Sequence, residues 1–320
     1  MAAPPPEPLT NLPPEQRPCP TEALPDLCPA PKELPADYML HGSRIIRPIG
    51  EGGFGVTYLA SDELLNRQVV IKESFPGYLC SRQAGSLDIE LLHGAEPQTY
   101  RTAYNNFLRE VRLLASFDHP HIVKIYTFFE AHKTAYYVTE YIDGMSLADV
   151  VADYRKFLNH LPQDSLYSLM VRVLDALDYL HTRNILHLDI KPDNILVTRD
   201  GRPVVIDMGA ACHLHEYDPS LVVETPGFSP PEQGSDSSTV GPWTDLYAFA
   251  ATLYYLLTMN APPPGKQREY YDTLDPLTSI PTLTSRYNLQ LLASIDRALS
   301  PSIANRYRNV AEWMNDLRVR

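Results

Sequence analysis

Short β-type segments dominate the first half of the folded sequence. Residues 44–49, 56–60 and 68–72 are rich in β-branched side chains and are separated by turn residues, which is typical of strands in one sheet. Residues 122–129 and 135–141 have the same character. The pattern predicts a small lobe that is mostly β.

One helix interrupts these strands. Between residues 103 and 117 the spacing of apolar positions changes to that of an amphipathic helix. We expect this helix to pack against the sheet by its apolar face. The expected apolar positions are Phe107, Val111, Leu114 and Ala115.

Helical spacing prevails after residue 144. Residues 166–180 place large apolar side chains three and four positions apart, which predicts a buried amphipathic helix. Asp200-Gly201 is a short turn signal and predicts a hairpin between the strand-like stretches 195–197 and 204–206. Further helices are expected near 244–258, 288–299 and 309–318.

Proline sets the beginning of the chain apart. Residues 1–36 hold 12 of the 30 prolines and little periodic apolar patterning. Because proline removes backbone donors and fixes φ, we expect a disordered or polyproline-rich tail, followed by a folded domain at 37–320. Composition leaves two uses of the tail open, a docking segment for a partner domain or a plain linker.

Charge and cysteine content narrow the partners and the compartment. The formal charge is 27 − 39 = −12, which argues against nucleic acid or an anionic membrane as the main partner. Cys19, Cys28, Cys80 and Cys212 have no metal or redox spacing, so we expect free thiols in a reducing cytoplasm. No signal peptide is visible, and the longest apolar run, near 248–257, falls short of the roughly 20 residues that span a bilayer.

The clearest chemistry lies in the octapeptide 187–194, His-Leu-Asp-Ile-Lys-Pro-Asp-Asn, and in the Asp-Met-Gly that begins at Asp207. The two segments place Asp189, Lys191, Asn194 and Asp207 on neighbouring loops. Phosphoryl transfer from ATP needs such a set: a carboxylate at the acceptor hydroxyl, a cation at the moving group and oxygen ligands for Mg²⁺. The spacing resembles the catalytic loop and the metal-binding motif of protein kinases.

A glycine-rich turn lies between the first two expected strands. Its sequence is Gly-Glu-Gly-Gly-Phe-Gly-Val, and strand residues follow it, whereas a dinucleotide-binding fold would place a helix there. Glycine lets backbone amides approach phosphates closely. The segment resembles the glycine-rich loop of kinases. The nucleotide contacts that this resemblance implies are Gly50, Glu51, Gly52, Gly53, Phe54, Gly55 and Val56.

Lys72 ends the run Val-Val-Ile-Lys, which resembles the third-strand lysine motif of the family. A lysine at the end of a buried strand needs a partner, because an unpaired buried charge is costly. Glu110, in the expected helix, is the matching carboxylate, and the pair would hold Lys72 against the α- and β-phosphates. The sequence Ile-Lys-Glu-Ser-Phe-Pro and the insert at 73–104 resemble those of a bacterial branch of eukaryotic-type Ser/Thr kinases.

The run that begins at Thr139 resembles the kinase hinge. The resemblance implies that backbone groups of Glu140 and Ile142 contact the adenine edge and that Thr139 is the gatekeeper. Val70 replaces the usual alanine, so the roof of the adenine site is bulkier. The side chains expected to sandwich the ring are Val56, Val70 and Leu196.

The resemblance implies a role for each residue of the catalytic set. Asp189 would accept the proton of the substrate hydroxyl, and Lys191 would neutralise the γ-phosphoryl group. Asn194 and Asp207 would hold Mg²⁺, with Mn²⁺ as the alternative ion. Thr225 would hydrogen-bond Asp189 and Lys191, which fits Ser/Thr specificity rather than Tyr specificity.

Two departures from the family pattern affect these expectations. Leu188 stands where many kinases carry the arginine that meets a phosphorylated activation segment, so we expect activity without such phosphorylation. Met208 replaces the usual phenylalanine, but methionine is a flexible apolar filler. We also expect Glu232 to pair with Arg306. The expected apolar stack, anchored by Asp245, consists of Leu114, Ile125, His187 and Met208.

The resemblance covers roughly residues 43–318 and implies an α+β, bilobal protein-kinase fold. We expect a small lobe at about 37–139, a hinge at 140–144 and a large lobe at 145–320. The implied function is a cytoplasmic Ser/Thr protein kinase that uses ATP and Mg²⁺ and phosphorylates proteins, including itself. Candidate self-acceptors are Ser220, Thr225 and Ser229.

Two other functions stay open at this point. A pseudokinase, acting as an ATP-binding interaction or allosteric module, is supported by Leu188, Met208 and Val70. A small-molecule kinase of the aminoglycoside-phosphotransferase type shares the carboxylate and amide chemistry. It resembles the chain less, because such enzymes lack the 225–232 segment and the Glu232–Arg306 pair.

Overall fold

The computed structural model describes residues 32–53, 55–83, 85–157, 161–235 and 239–318. Its first part forms a six-stranded antiparallel sheet with one long helix, and its second part is mostly helical. The predicted bilobal α+β architecture is therefore confirmed.

The sheet of the small lobe has the strand order β1-β2-β3-β4-β8-β7, and β5 and β6 form a separate hairpin. All five expected strands are present, with ends that differ by up to three residues. The strands of this lobe are β1 (Met39–Leu40), β2 (Ser43–Gly52), β3 (Gly55–Asp62), β4 (Arg67–Ser74), β5 (Cys80–Arg82), β6 (Ile89–Leu91), β7 (Ile125–Ala131) and β8 (Thr134–Glu140).

The helix of the small lobe, α1 (Pro97–Ala115), begins six residues earlier than the apolar pattern predicts. Pro97 lies in its first turn, where the fixed φ of proline suits a helix and the missing N–H costs nothing. The apolar face is also slightly rotated, because Leu113 is buried and Ala115 is exposed. The prediction for Ala115 was wrong because the helix ends at that residue.

The folded part begins earlier than expected. The sequence assigns residues 32–36 to the tail, but Leu34 is only 2% exposed and its amide donates a hydrogen bond to the Tyr58 hydroxyl at 3.1 Å. Leu34 and Tyr58 belong to one apolar cluster of the small lobe. The tail assignment is wrong for residues 32–36, because one buried leucine between prolines leaves no periodic signal. Residues 1–31 lie outside the described residues.

The insert covers the face of the sheet that points away from α1. Neighbouring side chains in a strand point to opposite faces. Lys72 contacts the α1 residue Glu110, whereas Ile71 packs in the cluster that contains Phe75, Cys80 and Ile89. The sequence predicted no structure for this insert, and its β5–β6 hairpin gives the sheet a second apolar layer.

The large lobe is built around α4, which is buried along almost its whole length. A helix that is apolar on all sides is typical of a core position. The four helices expected in this lobe are present with ends that differ by up to three residues, whereas α2, α5 and α6 were not predicted. The elements are β9 (Gly144–Ser146), α2 (Leu147–Phe157), α3 (Gln163–His181), β10 (Ile185–Leu186), β11 (Ile195–Thr198), β12 (Pro203–Val205), β13 (Cys212–His213), α4 (Pro242–Thr258), α5 (Gly265–Tyr270), α6 (Pro281–Thr284), α7 (Leu289–Ala298) and α8 (Val310–Arg318).

A buried ion pair joins two distant parts of the large lobe. The guanidinium of Arg306 donates to the carboxylate of Glu232 at 2.7 and 3.1 Å, and both residues are buried. This is the pair that the sequence predicts. Arg306 also donates to the carbonyls of Ser300 and Pro301, so its charge is well satisfied.

Loss of this pair should destabilise the protein strongly. We expect Arg306→Met to lower the free energy of unfolding by about 3–5 kcal/mol, because the Glu232 carboxylate would stay buried without its cation. Arg308→Met is the matched control, since the Arg308 side chain is exposed on the same loop. Denaturant unfolding measures both variants. An Arg306→Met loss no larger than that of the control would contradict this reading.

Candidate active site

Lys72 lies at the centre of a group of charges beneath the sheet. Strand β4 carries it to the Glu110 carboxylate of α1 at 2.8 Å and to the Asp207 carboxylate at 3.3 Å. The Tyr137 hydroxyl donates to the same Glu110 oxygen at 2.7 Å. Although burial favours the neutral amine, the Glu110 and Asp207 carboxylates hold the pKa of Lys72 well above its usual value. The expected Lys72–Glu110 pair is thus present, and Lys72 is a cation at neutral pH.

Asp207 is ionised at neutral pH. Burial opposes ionisation, but the Lys72 ammonium and the backbone amide of Gly209, 2.9 Å from Oδ1, lower the pKa of Asp207 to about 2. Hydrogen bonds from a cation and from a backbone amide stabilise the charged form of a carboxylate. The site therefore keeps a negative oxygen next to the cation of Lys72.

The expected catalytic loop, residues 187–194, meets the segment that follows Asp207 and carries Thr225, the expected activation segment, at Asp189. Its Oδ2 accepts hydrogen bonds from Lys191 Nζ at 2.7 Å and from Asn194 Nδ2 at 2.9 Å. Its Oδ1 accepts one from Thr225 Oγ1 at 2.8 Å. The expected Thr225–Asp189 contact is present, whereas the contacts of the described residues include no bond from Thr225 to Lys191, because the Lys191 ammonium is directed at Asp189.

Asp245 holds the backbone that precedes Asp189. The amides of His187 and Leu188 donate to its two carboxylate oxygens at 2.9 and 2.8 Å, and His181 Nε2 lies 2.8 Å from Oδ2. Leu188 has a φ of +63°, and its carbonyl accepts from Gln233 Nε2 at 2.7 Å. The sequence predicts the Asp245 anchor but gives no signal for His181 or Gln233, because bonds between distant side chains and backbone leave no spacing pattern.

The expected apolar stack is built from buried side chains. Leu114, His187 and Met208 are fully buried, and Ile125 is partly buried against the same core as Leu114 and Met208. Burial lowers the pKa of His187, which favours a neutral ring at this position. Met208 therefore fills the place that the usual phenylalanine would take.

The residues expected around adenine come from both lobes. Val56 and Ile142 are buried, whereas Val70 and Leu196 are partly exposed. Val70 lies opposite Thr139, the expected gatekeeper, in the β4–β8 ladder. These positions leave apolar surface for the ring.

The hinge offers fewer free backbone groups than its sequence suggests. The amide of Glu140 donates to the Lys124 carbonyl at 2.9 Å and is therefore not available to adenine. The amide of Ile142 donates no hydrogen bond within the described part of the chain. The backbone contacts expected with adenine are thus reduced to the Glu140 carbonyl and the backbone groups of Ile142.

The glycine-rich loop connects β2 and β3. Gly50, Glu51, Gly52 and Gly53 are exposed. At Gly55 a Cβ would lie 2.2 Å from the carbonyl oxygen of Glu73, so only glycine fits this close backbone approach. Phe54 lies outside the described residues.

Asn194 and Asp207 present oxygens that suit Mg²⁺. Asn194 uses its Nδ2 for hydrogen bonds to Asp189, and Asp207 uses its Oδ1 for Lys72 and Gly209. Asn194 Oδ1 and Asp207 Oδ2 accept no hydrogen bond from the residues that the structure describes. The same residues contain no cluster of three His, Cys, Asp or Glu side chains fit for a metal. This is consistent with Mg²⁺, which is usually held by one or two protein oxygens together with substrate phosphates.

One cavity connects these groups. A space of about 270 Å³ lies between α1 and the activation segment, and its polar lining includes Lys72, Asp189, Lys191, Asp207 and Thr225. The structure thus brings the predicted catalytic residues to one accessible volume. Arrangements of this kind, with charged groups converging on a cleft, are the usual form of a catalytic site.

Comparison with known proteins identifies relatives of the whole domain. A family model described as protein kinase domain matches residues 43–317. The serine/threonine-protein kinase PknA of Nostoc sp. is 31% identical over 293 residues, which cover 86% of this chain and 47% of PknA. PknD of Chlamydia caviae is 28% identical over 85% of this chain and 30% of its own length. The chain spans less than half the length of these curated relatives.

Solved structures share the fold. The apo form of PpkA-294 superimposes with a TM-score of 0.78 at 32% identity, covering 90% of this chain and 100% of that one. The kinase domain of Mycobacterium tuberculosis PknI gives a TM-score of 0.62 at 24% identity, covering 88% and 97% of the two chains. At that identity the likeness to PknI shows the fold alone. In the part of the chain that the structure describes, no helix is both long and apolar enough to cross a membrane.

Proposed function

The chain belongs to the protein kinase domain family, and from that membership we propose that it transfers the γ-phosphoryl group of ATP to Ser and Thr hydroxyls of proteins. The observation that carries the proposal is the hydrogen-bonded group of Asp189, Lys191, Asn194 and Thr225 beside the cation of Lys72. The test is transfer of labelled γ-phosphate to a generic protein substrate with phosphoamino-acid analysis. Phosphotyrosine as the sole product would contradict the proposal.

Each polar group has a distinct task in the proposed transfer. Asp189 accepts the proton of the attacking hydroxyl, and the Lys191 and Thr225 bonds orient its carboxylate. Lys191 also provides a cation for the transferred group. Lys72, held by Glu110, binds the phosphates that stay with the leaving nucleotide.

Asn194 and Asp207 are the proposed metal ligands, because each has an oxygen next to the catalytic loop that accepts no hydrogen bond from the described residues. When bound there, Mg²⁺ would neutralise phosphate charge, with Mn²⁺ as the alternative ion. The low pKa of Asp207 keeps its carboxylate available over the neutral range. Asn194 remains tied to Asp189, so the metal ligand and the base are held in one rigid unit.

The alternatives have less support. The contacts of Asp189, Lys191, Asn194, Thr225 and Lys72 support phosphoryl transfer, so a pseudokinase is not favoured. A small-molecule kinase would lack the activation segment that begins at Asp207 and ends near the buried Glu232–Arg306 pair. Protein substrates with Ser or Thr acceptors therefore fit best. We place the reaction in the cytoplasm, where ATP is available. The two uses predicted for the proline-rich tail, a docking segment for a partner domain or a plain linker, stay open.

The activation segment is held by apolar contacts. Leu188, at the position of the usual arginine, is 3% exposed and clusters with Cys212, Tyr217 and Val240. The Leu188 carbonyl also accepts a hydrogen bond from Gln233, near the end of the activation segment. A phosphate on this segment would find no arginine at position 188. We therefore propose that the segment keeps its active arrangement without phosphorylation.

Dephosphorylated protein should keep its rate of transfer. We expect phosphatase treatment, and the variant Ser220→Ala, to leave the initial rate unchanged, because the Ser220 side chain is exposed and bonds only to Asp218 among the described residues. Steady-state rates before and after treatment check this, with mass spectrometry to confirm that phosphate is absent. A loss that rephosphorylation reverses would show that the apolar cluster is not sufficient.

A further inference from the structure

A buried carboxylate lies directly behind the lysine of the active site. Glu73, the residue after Lys72, is fully buried on the opposite face of the sheet. It accepts hydrogen bonds from the Tyr58 hydroxyl at 2.7 Å and the Tyr136 hydroxyl at 2.6 Å, and from Arg82 NH2 at 2.7 and 2.9 Å. No step of the proposed transfer uses this group, although burying a charge in this way needs an exact set of partners.

Arg82 links Glu73 to two segments that lie outside the sheet. Its Nε donates to the carbonyl of Lys32 at 2.8 Å, and its NH1 donates to the carbonyl of Leu87 at 2.9 Å. Arg82 is 3% exposed and belongs to the β5–β6 hairpin of the insert. The guanidinium therefore joins the insert, the start of the folded chain and strand β4 at one point. A planar group with five donors suits such a junction better than lysine would.

The group formed by Glu73 and Arg82 is connected to the glycine-rich loop in two ways. Along the backbone, Glu73 pairs with Val56 of β3, and its carbonyl packs against Gly55 of the glycine-rich loop. Through the start of the folded chain, the Lys32 ammonium bonds to the Glu51 carboxylate of the same loop at 2.9 Å. The carbonyl of Lys32 is the group that Arg82 holds. Arg82 thus fixes the residue whose side chain contacts the glycine-rich loop.

We propose that Glu73 and Arg82 are positioning residues for ATP, because they hold strand β4 and seat Lys32 against the glycine-rich loop. The inference rests on the proposed use of ATP and deepens it. Residues 32–34 are then part of the nucleotide-binding machinery, although the sequence assigns them to the tail.

The decisive variant separates this role from simple stability. Arg82→Met alone leaves the Glu73 carboxylate buried without a cation, so it should lower the melting temperature and weaken ATP binding together. In the double variant Glu73→Gln/Arg82→Met no unpaired charge remains. The amide oxygen can accept from one tyrosine hydroxyl, and the amide nitrogen can donate to the oxygen of the other. We expect the double variant to regain most of the melting temperature. Its Kd for Mg·ATP should stay about fivefold or more above wild type, a typical size for coupling between two sites.

Calorimetric titration with Mg·ATP on the full chain measures this, at a temperature below both transitions. A double variant with the wild-type Kd would overturn the proposal, since the pair would then serve stability alone. The titration needs no turnover. A wild-type protein that binds Mg·ATP without transferring phosphate therefore contradicts the proposed function and not this inference.

If the double variant does not fold, two single lysine variants test the same proposal. Lys32→Met removes only an exposed side chain and should raise the Kd for Mg·ATP, by less than the double variant. Lys133→Met is the matched control, because this exposed lysine pairs with Asp88 instead of the glycine-rich loop. Equal Kd values for the two lysine variants would overturn the proposal.

Discussion

Asp189→Asn should lower kcat for phosphoryl transfer by about 10²–10⁴-fold, the usual contribution of a positioned general base. The structure supports this because the Asp189 carboxylate is the point where Lys191, Asn194 and Thr225 converge. Asparagine keeps the shape of the side chain but cannot take the proton of the acceptor hydroxyl. Steady-state transfer of labelled phosphate measures the change.

The matched control lies on the same loop. Asp193→Asn makes the identical chemical change four residues later, at an exposed side chain with no hydrogen bond to the other described residues. We expect Asp193→Asn to transfer phosphate at the wild-type rate. If both variants lost activity equally, the loop as a whole and not the Asp189 carboxylate would be responsible.

Lys72→Met should reduce kcat by about 10²–10³-fold, as expected when one preorganised charge at the reacting phosphates is removed. The ammonium is held by the Glu110 carboxylate at 2.8 Å. The fold should survive. Burial already raises the pKa of Glu110, so without its cation the carboxyl can take up a proton and avoid a buried charge.

Two measurements accompany the Lys72 variant. Circular dichroism should show an unchanged fold, and Lys124→Met, at an exposed lysine of the small lobe, should retain full transfer. A fully active Lys72→Met would contradict the assigned phosphate contact. An unfolded Lys72→Met would contradict the expectation that the fold survives.

The catalytic loop was predictable because its residues are close in sequence. Asp189, Lys191 and Asn194 lie within six positions of one another, so a short motif already places them on one loop. The Lys72–Glu110 pair was predictable for another reason, because a buried lysine requires a carboxylate and the expected helix offered one. The spacing of these residues and the need to balance a buried charge thus predicted most of the site.

Other features depend on contacts that leave no local pattern. Leu34 is buried between prolines, and Gln233 reaches the carbonyl of Leu188 from 45 positions away. Arg82 lies in an insert where no alternation of apolar residues marks its short strands. Such contacts arise from the packing of distant segments, so the sequence alone gave the wrong tail boundary and no role for the insert.

The most direct test of the central claim is transfer of labelled γ-phosphate from Mg·ATP by the purified protein to itself and to a generic Ser/Thr protein. The account predicts labelled phosphoserine or phosphothreonine, formed only with the divalent ion present and lost when it is chelated. A folded protein that binds Mg·ATP in calorimetry but labels neither itself nor the substrate would contradict the account.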